Sequence, residues 1–377
     1  MARIFDLHGL VSLAIDDERE HISRQLDAQL DPYEPSVGPI PTHADIVLSP
    51  NTGMVSRGLI DVHGPAGDGR RTGSDGDRCY LLRGTSRFEL PRLYPTEGQV
   101  TLSYDPDFPL WEALAEVVRP LLGLGTLQHG AITVHGATVE GEGGGLLVCG
   151  WSESGKTETA LAVAEQGARF ISDKWTIVDA DGRLHAFPVS VGIRDWVLQY
   201  LPRLRAHLRG AQRARLGVAR AARRPLPLLS RRPTRLGLAV ESQLDRAFTL
   251  ASRLSLRQTE VAAVYGSPQD PRRTPSLKTL AMLTTVSTPD VTVRPADAGW
   301  AAERLARSAE YERRTLYELD ARAGYATASA GISPLAAIRD RESDRLRHLL
   351  KSVQVLEVSA PFPTDPRRVA DALAEYC

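Results

Sequence analysis

The chain has 377 residues, with 46 lysines and arginines against 46 aspartates and glutamates. Zero formal net charge gives no whole-molecule field that would draw it to nucleic acid or to a membrane surface, and no uncharged apolar run approaches the roughly 18 residues of a membrane span. The three scattered cysteines, Cys79, Cys149 and Cys377, lack metal-site spacing and disulfide pairing, and the N-terminus carries acids throughout with no signal pattern, so a cytoplasmic protein of two or three domains is expected.

Residues 1–108 alternate short apolar stretches (Phe5 to Val11, Ala44 to Leu48, Leu59 to Val62) with turn clusters such as Gly64 to Gly69. They read as a β-rich or mixed α+β N-terminal domain. Pro109 to Leu122 reads as a helix, with Leu110, Leu114, Val117 and Leu121 at helical spacing. Ala131 to Val139 reads as a strand, the glycine-rich run 141–145 as its turn, and Leu146 to Cys149 as the returning strand. A helix is expected from Lys156 to Gln166, closed by Gly167 in a left-handed cap. Arg169 to Asp173 and Trp175 to Asp179 read as strands, and Phe187 to Trp196 as a strand running into a short helix opened near Asp195.

Residues 203–235 hold eleven arginines and no acid. That insertion is either a basic surface for an anionic partner, such as an acidic peptide, a phosphorylated ligand or RNA, or simply a solvated face. No Phe, Tyr or Trp interleaves, which disfavours nucleic acid. Thr279 to Val286 reads as a buried strand, followed by helices at 299–312 and from the Ser333-Pro334 pair to about Lys351. A strand at Val353 to Val358 and a helix opened by Asp365-Pro366 complete the pattern. The expected division is 1–108, 109–360 and a C-terminal helix within 361–377.

The chemistry lies in Gly150-Trp-Ser-Glu-Ser-Gly155-Lys156-Thr157, which fits G-x-x-x-x-G-K-[ST] between a strand and a helix, the setting that a phosphate loop requires. Gly150 and Gly155 allow torsions and close approach that a Cβ would block. The amides across Ser152, Glu153, Ser154 and Gly155, with the N-terminus of the following helix, form an anion nest. Lys156 reaches the β- and γ-phosphates, Thr157 is placed to ligate Mg²⁺, and Glu158 is either part of the site or a first-turn acid complementing the helix dipole. If Val139 pairs with Leu146, antiparallel register puts His135 opposite Gly150. His129 shares that face if the strand reaches so far. Asp173, at the end of an apolar run beyond the loop helix, is a candidate metal ligand or base. Arg194 is either a charge stabiliser for the transferred group or one half of a structural salt bridge.

Together, His135, Gly150, Ser152, Gly155, Lys156, Thr157, the Glu158-Thr-Ala-Leu161 continuation and Asp173 resemble the HPr kinase/phosphorylase family. Lys174 stands where that family usually has a second aspartate, and Glu153 where a glycine is usual. The resemblance implies an α/β fold with a P-loop kinase core of the HPr kinase/phosphoenolpyruvate carboxykinase type. It implies phosphoryl transfer from ATP, with Mg²⁺, to a hydroxyl of a peptide, protein or small-molecule acceptor. It places His135 and Asp173 at the transfer site and makes an oligomer conceivable. The alternative expectation is a nucleotide-binding regulatory scaffold without catalysis. No N-K-x-D element supports a GTPase.

Overall fold

A computed structural model describes residues 1–17, 19–51, 60–63, 71–92, 98–223, 253–266, 274–328 and 334–377. The turn cluster 64–69, the start of the Leu59 stretch, Ser333 and the arginines at 224, 231, 232 and 235 lie outside these residues. The protein is a mixed α/β structure.

Its N-terminal part is built from β1 (Ala2–Leu7), β2 (Val11–Ile15), α1 (Glu20–Leu30), β3 (Ser36–Gly38), β4 (Ile46–Pro50), β5 (Ile60–His63), β6 (Arg71–Ser74), β7 (Arg78–Arg83), β8 (Ser86–Pro91) and β9 (Val100–Tyr104). These strands form one nine-stranded sheet in the order β3-β1-β2-β4-β9-β8-β7-β6-β5. Apolar residues at alternate positions put one face indoors: Phe5, Leu7, Leu13, Ile15, Phe88 and Leu102 are buried in one cluster with Leu114, Val117, Val118 and Leu121 of the next helical segment. That segment is α2 (Leu110–Ala113), a π-turn (Leu114–Val118) and α3 (Arg119–Gln128), so it runs six residues beyond the expected Leu122.

After α3, β10 (Ile132–Val134) and β11 (Gly136–Gly141) form where a single strand was expected. The chain breaks at His135: β10 joins a three-stranded sheet, whereas β11 pairs with β12 (Gly144–Gly150). Within that hairpin Val139 does pair with Leu146, and Gly136 with Cys149. His129 is not on the strand at all. It caps α3, with its Nε2 2.8 Å from Asp45 Oδ1, because Ala131 N–H bonds back to Thr126 C=O and extends the helix turn.

Next come α4 (Lys156–Glu165), β13 (Arg169–Ser172), β14 (Thr176–Val178), β15 (Leu184–Ala186) and β16 (Val191–Arg194). Gly167, with a φ of 122°, follows α4 as expected. The basic insertion begins with α5 (Pro202–His207) and α6 (Gly210–Arg223); β17 (Arg253–Leu256) then pairs with β16, and α7 (Gln258–Tyr265) follows. The chain closes through β18 (Leu277–Thr285), β19 (Thr292–Pro295), α8 (Ala298–Glu312), α9 (Arg314–Thr327), α10 (Ile338–Leu349), β20 (Gln354–Ala360) and α11 (Pro366–Leu373). Asp365 caps α11, its side chain accepting from Arg367 N–H. Helix α9 has no counterpart in the sequence expectations. Its Leu316 and Leu319 join the buried cluster of the N-terminal sheet.

The site is positioned by a six-stranded sheet of order β13-β11-β12-β18-β20-β19, in which β12, β18 and β20 are parallel. Period-two side chains face opposite layers. Leu146, Val148, Ala281, Leu283, Leu356 and Val358 pack against α4 and α11; Leu147, Cys149, Leu280 and Met282 pack against Ala301, Ala302, Leu305 and Ala306 of α8. The carboxyl ends of parallel strands, open between covering helices, are where ligands bind in such layered sheets. No helix among the described residues is long and apolar enough to cross a membrane.

Candidate active site

The loop from Gly150 to Thr157 leaves the carboxyl end of β12 and enters α4. Its glycines are required by geometry. At Gly155 φ is +93°, and a Cβ would lie 3.2 Å from the Phe362 ring; at Gly150 a Cβ would lie 2.8 Å from Leu283 O. Glu153 also takes a left-handed φ of 63° without being glycine, which costs on the order of 1 kcal/mol. Non-glycine residues held in such torsions concentrate at ligand sites.

A cleft of about 260 Å³ is lined by His135, Ser152, Glu153, Ser154, Gly155, Lys156, Thr157, Glu158, Asp173 and Arg194. The sequence therefore anticipated residues that the fold does bring together. Asp173 follows β13 directly and is 3% exposed, and Thr157 Oγ1 donates to its Oδ1 at 2.7 Å. Burial pushes the Asp173 carboxyl up, against the opposing Thr157 hydrogen bond. The Lys156 ammonium, lowered by burial, donates to Gly150 O at 3.1 Å and Trp151 O at 2.7 Å. Burial also raises the Glu158 carboxyl.

His135 is 4% exposed, its Nδ1 2.9 Å from Ser308 Oγ and its Nε2 3.9 Å from Glu312. Its ring lies against Trp175, with centroids 5.1 Å apart. Burial first, then the Lys156 and Lys174 charges, hold its pKa well below the ordinary 6.5; the imidazole is neutral near pH 7. Arg194 lines the cleft, pairs with Glu153 at 2.7 Å and lies over the Phe362 ring at 5.4 Å, so the expected salt bridge is present.

The donor set fits a magnesium nucleotide. Thr157 and Asp173 offer hard oxygens, and magnesium needs only one or two protein oxygens alongside waters and substrate phosphates. No cluster of three or more His, Cys, Asp or Glu able to hold a metal by itself occurs among the described residues. Ser154 Oγ, inside the loop, is buried without a hydrogen-bond partner, the state expected of a donor aimed at a ligand oxygen.

Residues that sequence reasoning missed come from distant elements: Ser190 and Gly192 near β16, Arg253 of β17, and Tyr311, Glu312 and Arg314 at the junction of α8 and α9. No local motif marks them. Their one common feature is attachment to elements that end at the same rim. Arg203, by contrast, is a strut. It donates to Ala164 O at 3.1 Å and Val264 O at 2.8 Å and stacks on Tyr265. Arg209 pairs with Glu260 at 2.7 Å.

The chain matches no protein-family model and no curated protein sequence. The reading of the site therefore rests on its own residues.

Proposed function

We propose that the protein is an ATP- and Mg²⁺-dependent kinase that transfers the γ-phosphoryl group to a hydroxyl, with a serine or threonine of a peptide or protein as first choice of acceptor and a small metabolite as second. The observation that carries this reading is the Thr157–Asp173 hydrogen bond of 2.7 Å at the mouth of the phosphate loop, with His135 and Lys156 in the same cleft. Lys156, the loop amides and the Ser154 hydroxyl hold phosphate oxygens. Thr157 and Asp173 would hold magnesium, which neutralises charge on the transferring group when bound. Arg194, released from Glu153, stabilises the charge that spreads over the γ-oxygens.

In the transfer the acceptor oxygen bonds to the γ-phosphorus, the bond to the bridging oxygen breaks, and ADP departs with that electron pair. The hydroxyl proton passes to Asp173. Neutral His135 hydrogen-bonds the attacking oxygen without adding charge. The test is incubation of the full chain with γ-labelled ATP, Mg²⁺ and panels of serine- and threonine-containing peptides and small alcohols. Label is expected in an acceptor with wild type and in none with Lys156→Met.

A second reading, a nucleotide-binding scaffold, draws on the ion pair that ties the loop residue Glu153 to Arg194. Mg²⁺-dependent ATP binding with no labelled product across every panel supports it instead.

A further inference from the structure

With Lys156, the loop amides and Arg194 assigned to the triphosphate, three further cations line the same cleft. Arg314 is held by Tyr311, donating to its O at 3.1 Å and lying over its ring, which leaves two without a task. These are Lys174 and Arg253. Neither side chain makes a hydrogen bond or ion pair among the described residues. Glu312 and, more weakly, Asp173 face Lys174 electrostatically, but Arg119 and Arg253 oppose them with positive charge. The Arg253 guanidinium lies across the α-carbon of Gly192, where a Cβ would stand 2.4 Å from Nη2 and 2.6 Å from Nε. Its place in the cleft thus depends on the glycine beneath it.

Across the β16–β17 ribbon, Arg253 is the register partner of Arg194. Like charges directly opposite on antiparallel strands are destabilising unless something between them compensates. Arg194 has Glu153; the acid that Arg253 faces is Asp173, with which it forms no ion pair among the described residues. Asp173, the nearest carboxylate in sequence to Lys174, is engaged by the Thr157 hydroxyl. Ser190 adds a hydroxyl to the same wall.

We infer that Lys174 and Arg253 form an anion-binding subsite beside the phosphate loop, which takes a carboxylate or phosphate group carried by the hydroxyl-bearing acceptor. The identification of its occupant as the acceptor rests on the kinase reading; the subsite itself does not. Two cations converging on one oxyanion, with Arg253 able to present a two-pronged fork, is the chemistry by which such groups are recognised. The acceptor class narrows accordingly to anionic molecules whose charge sits close to the reacting hydroxyl.

The experiment titrates inorganic phosphate, and separately succinate, into the full chain at constant ionic strength and follows the thermal midpoint. It is run on wild type saturated with Mg²⁺ and the non-hydrolysable analogue AMPPNP, and on Lys156→Met without nucleotide. A saturable response to at least one anion is expected in both. It should weaken by about ten-fold or more in Arg253→Gln and in Lys174→Asn; asparagine tolerates the left-handed φ of 63° that Lys174 takes. Response to phosphate alone or succinate alone names the group. No saturable response, or one unchanged by both substitutions, overturns the subsite. So does a response that vanishes with bound AMPPNP or with Lys156→Met, since it then belongs to the phosphate loop. Failure of wild type to bind AMPPNP while Lys156→Met still responds refutes the kinase reading and leaves the subsite standing. Each variant's midpoint without anion shows whether it folds.

Discussion

Asp173→Asn separates stability from function at one atom. The carboxylate is 3% exposed, and burial raises its pKa, so its ionised form is a net cost to the folded chain at neutral pH. The sign follows directly: a carboxyl raised on folding stabilises only while protonated, and that contribution is lost as pH rises above the unfolded value of about 3.9. Asparagine removes the charge but keeps an acceptor for the Thr157 hydroxyl. The nucleotide-free variant should therefore melt at or above the wild-type midpoint. Function moves the other way. A ligand at a hundred times its dissociation constant stabilises by about 2.7 kcal/mol. For 377 residues that is about 3 °C. In Asp173→Asn the magnesium-dependent share of this shift should disappear. Loss of the metal's several kcal/mol of charge stabilisation should slow transfer by about two to three orders of magnitude. Thermal melts with and without Mg²⁺ and ATP, beside a label-transfer assay, measure both. A variant that is less stable without ligand, or that keeps its magnesium response and its rate, refutes the placement of Asp173 at the metal.

Three further outcomes follow from the geometry. Because His135 has its pKa lowered from 6.5 by burial, the unfolded chain takes a proton that the folded chain refuses, so stability should fall as pH drops below about 6.5; urea titrations of wild type and His135→Gln should show a shallower slope in the variant. Gly155→Ala, at a φ of +93° and 3.2 Å from the Phe362 ring, should cost about 1–3 kcal/mol and weaken ATP binding in calorimetry, whereas unchanged affinity would mean that the loop does not close on phosphate. Arg313 and Glu342 form a buried pair, 3% and 1% exposed, so Arg313→Met should cost about 3–5 kcal/mol by stranding a charge, and Arg313→Met with Glu342→Leu should recover much of it in denaturant melts.

Local signals were legible where short range decides the structure. The glycine turn fixes the β11–β12 register as far as Gly136 opposite Cys149, while the expected pairing of His135 with Gly150 is not formed, because the chain breaks at His135. The Gly150–Thr157 loop and α4 follow from glycines and helix formers adjacent in sequence. The cap at Asp365 is a two-residue signature. What could not be read depends on partners far away in the chain. The break at His135 arises because β10 finds β14 while β11 finds β12. Helix α9 carries Leu316 and Leu319 toward a sheet built more than 200 residues earlier. Arg253, Tyr311, Glu312 and Arg314 reach the cleft only because β17 and α8 end at its rim, and nothing in their immediate neighbours announces it.

Helix α8 meets the sheet through Ala301, Ala302 and Ala306, with Leu305 among them, and from its last turns it delivers Ser308 to His135 and Tyr311 and Glu312 to the cleft. Short side chains in its earlier turns thus set the height of three groups carried by its last turns. A bulkier residue at Ala306 would lift the whole rod and retract all three together, making the back of the sheet a remote adjustment for the cleft at its edge.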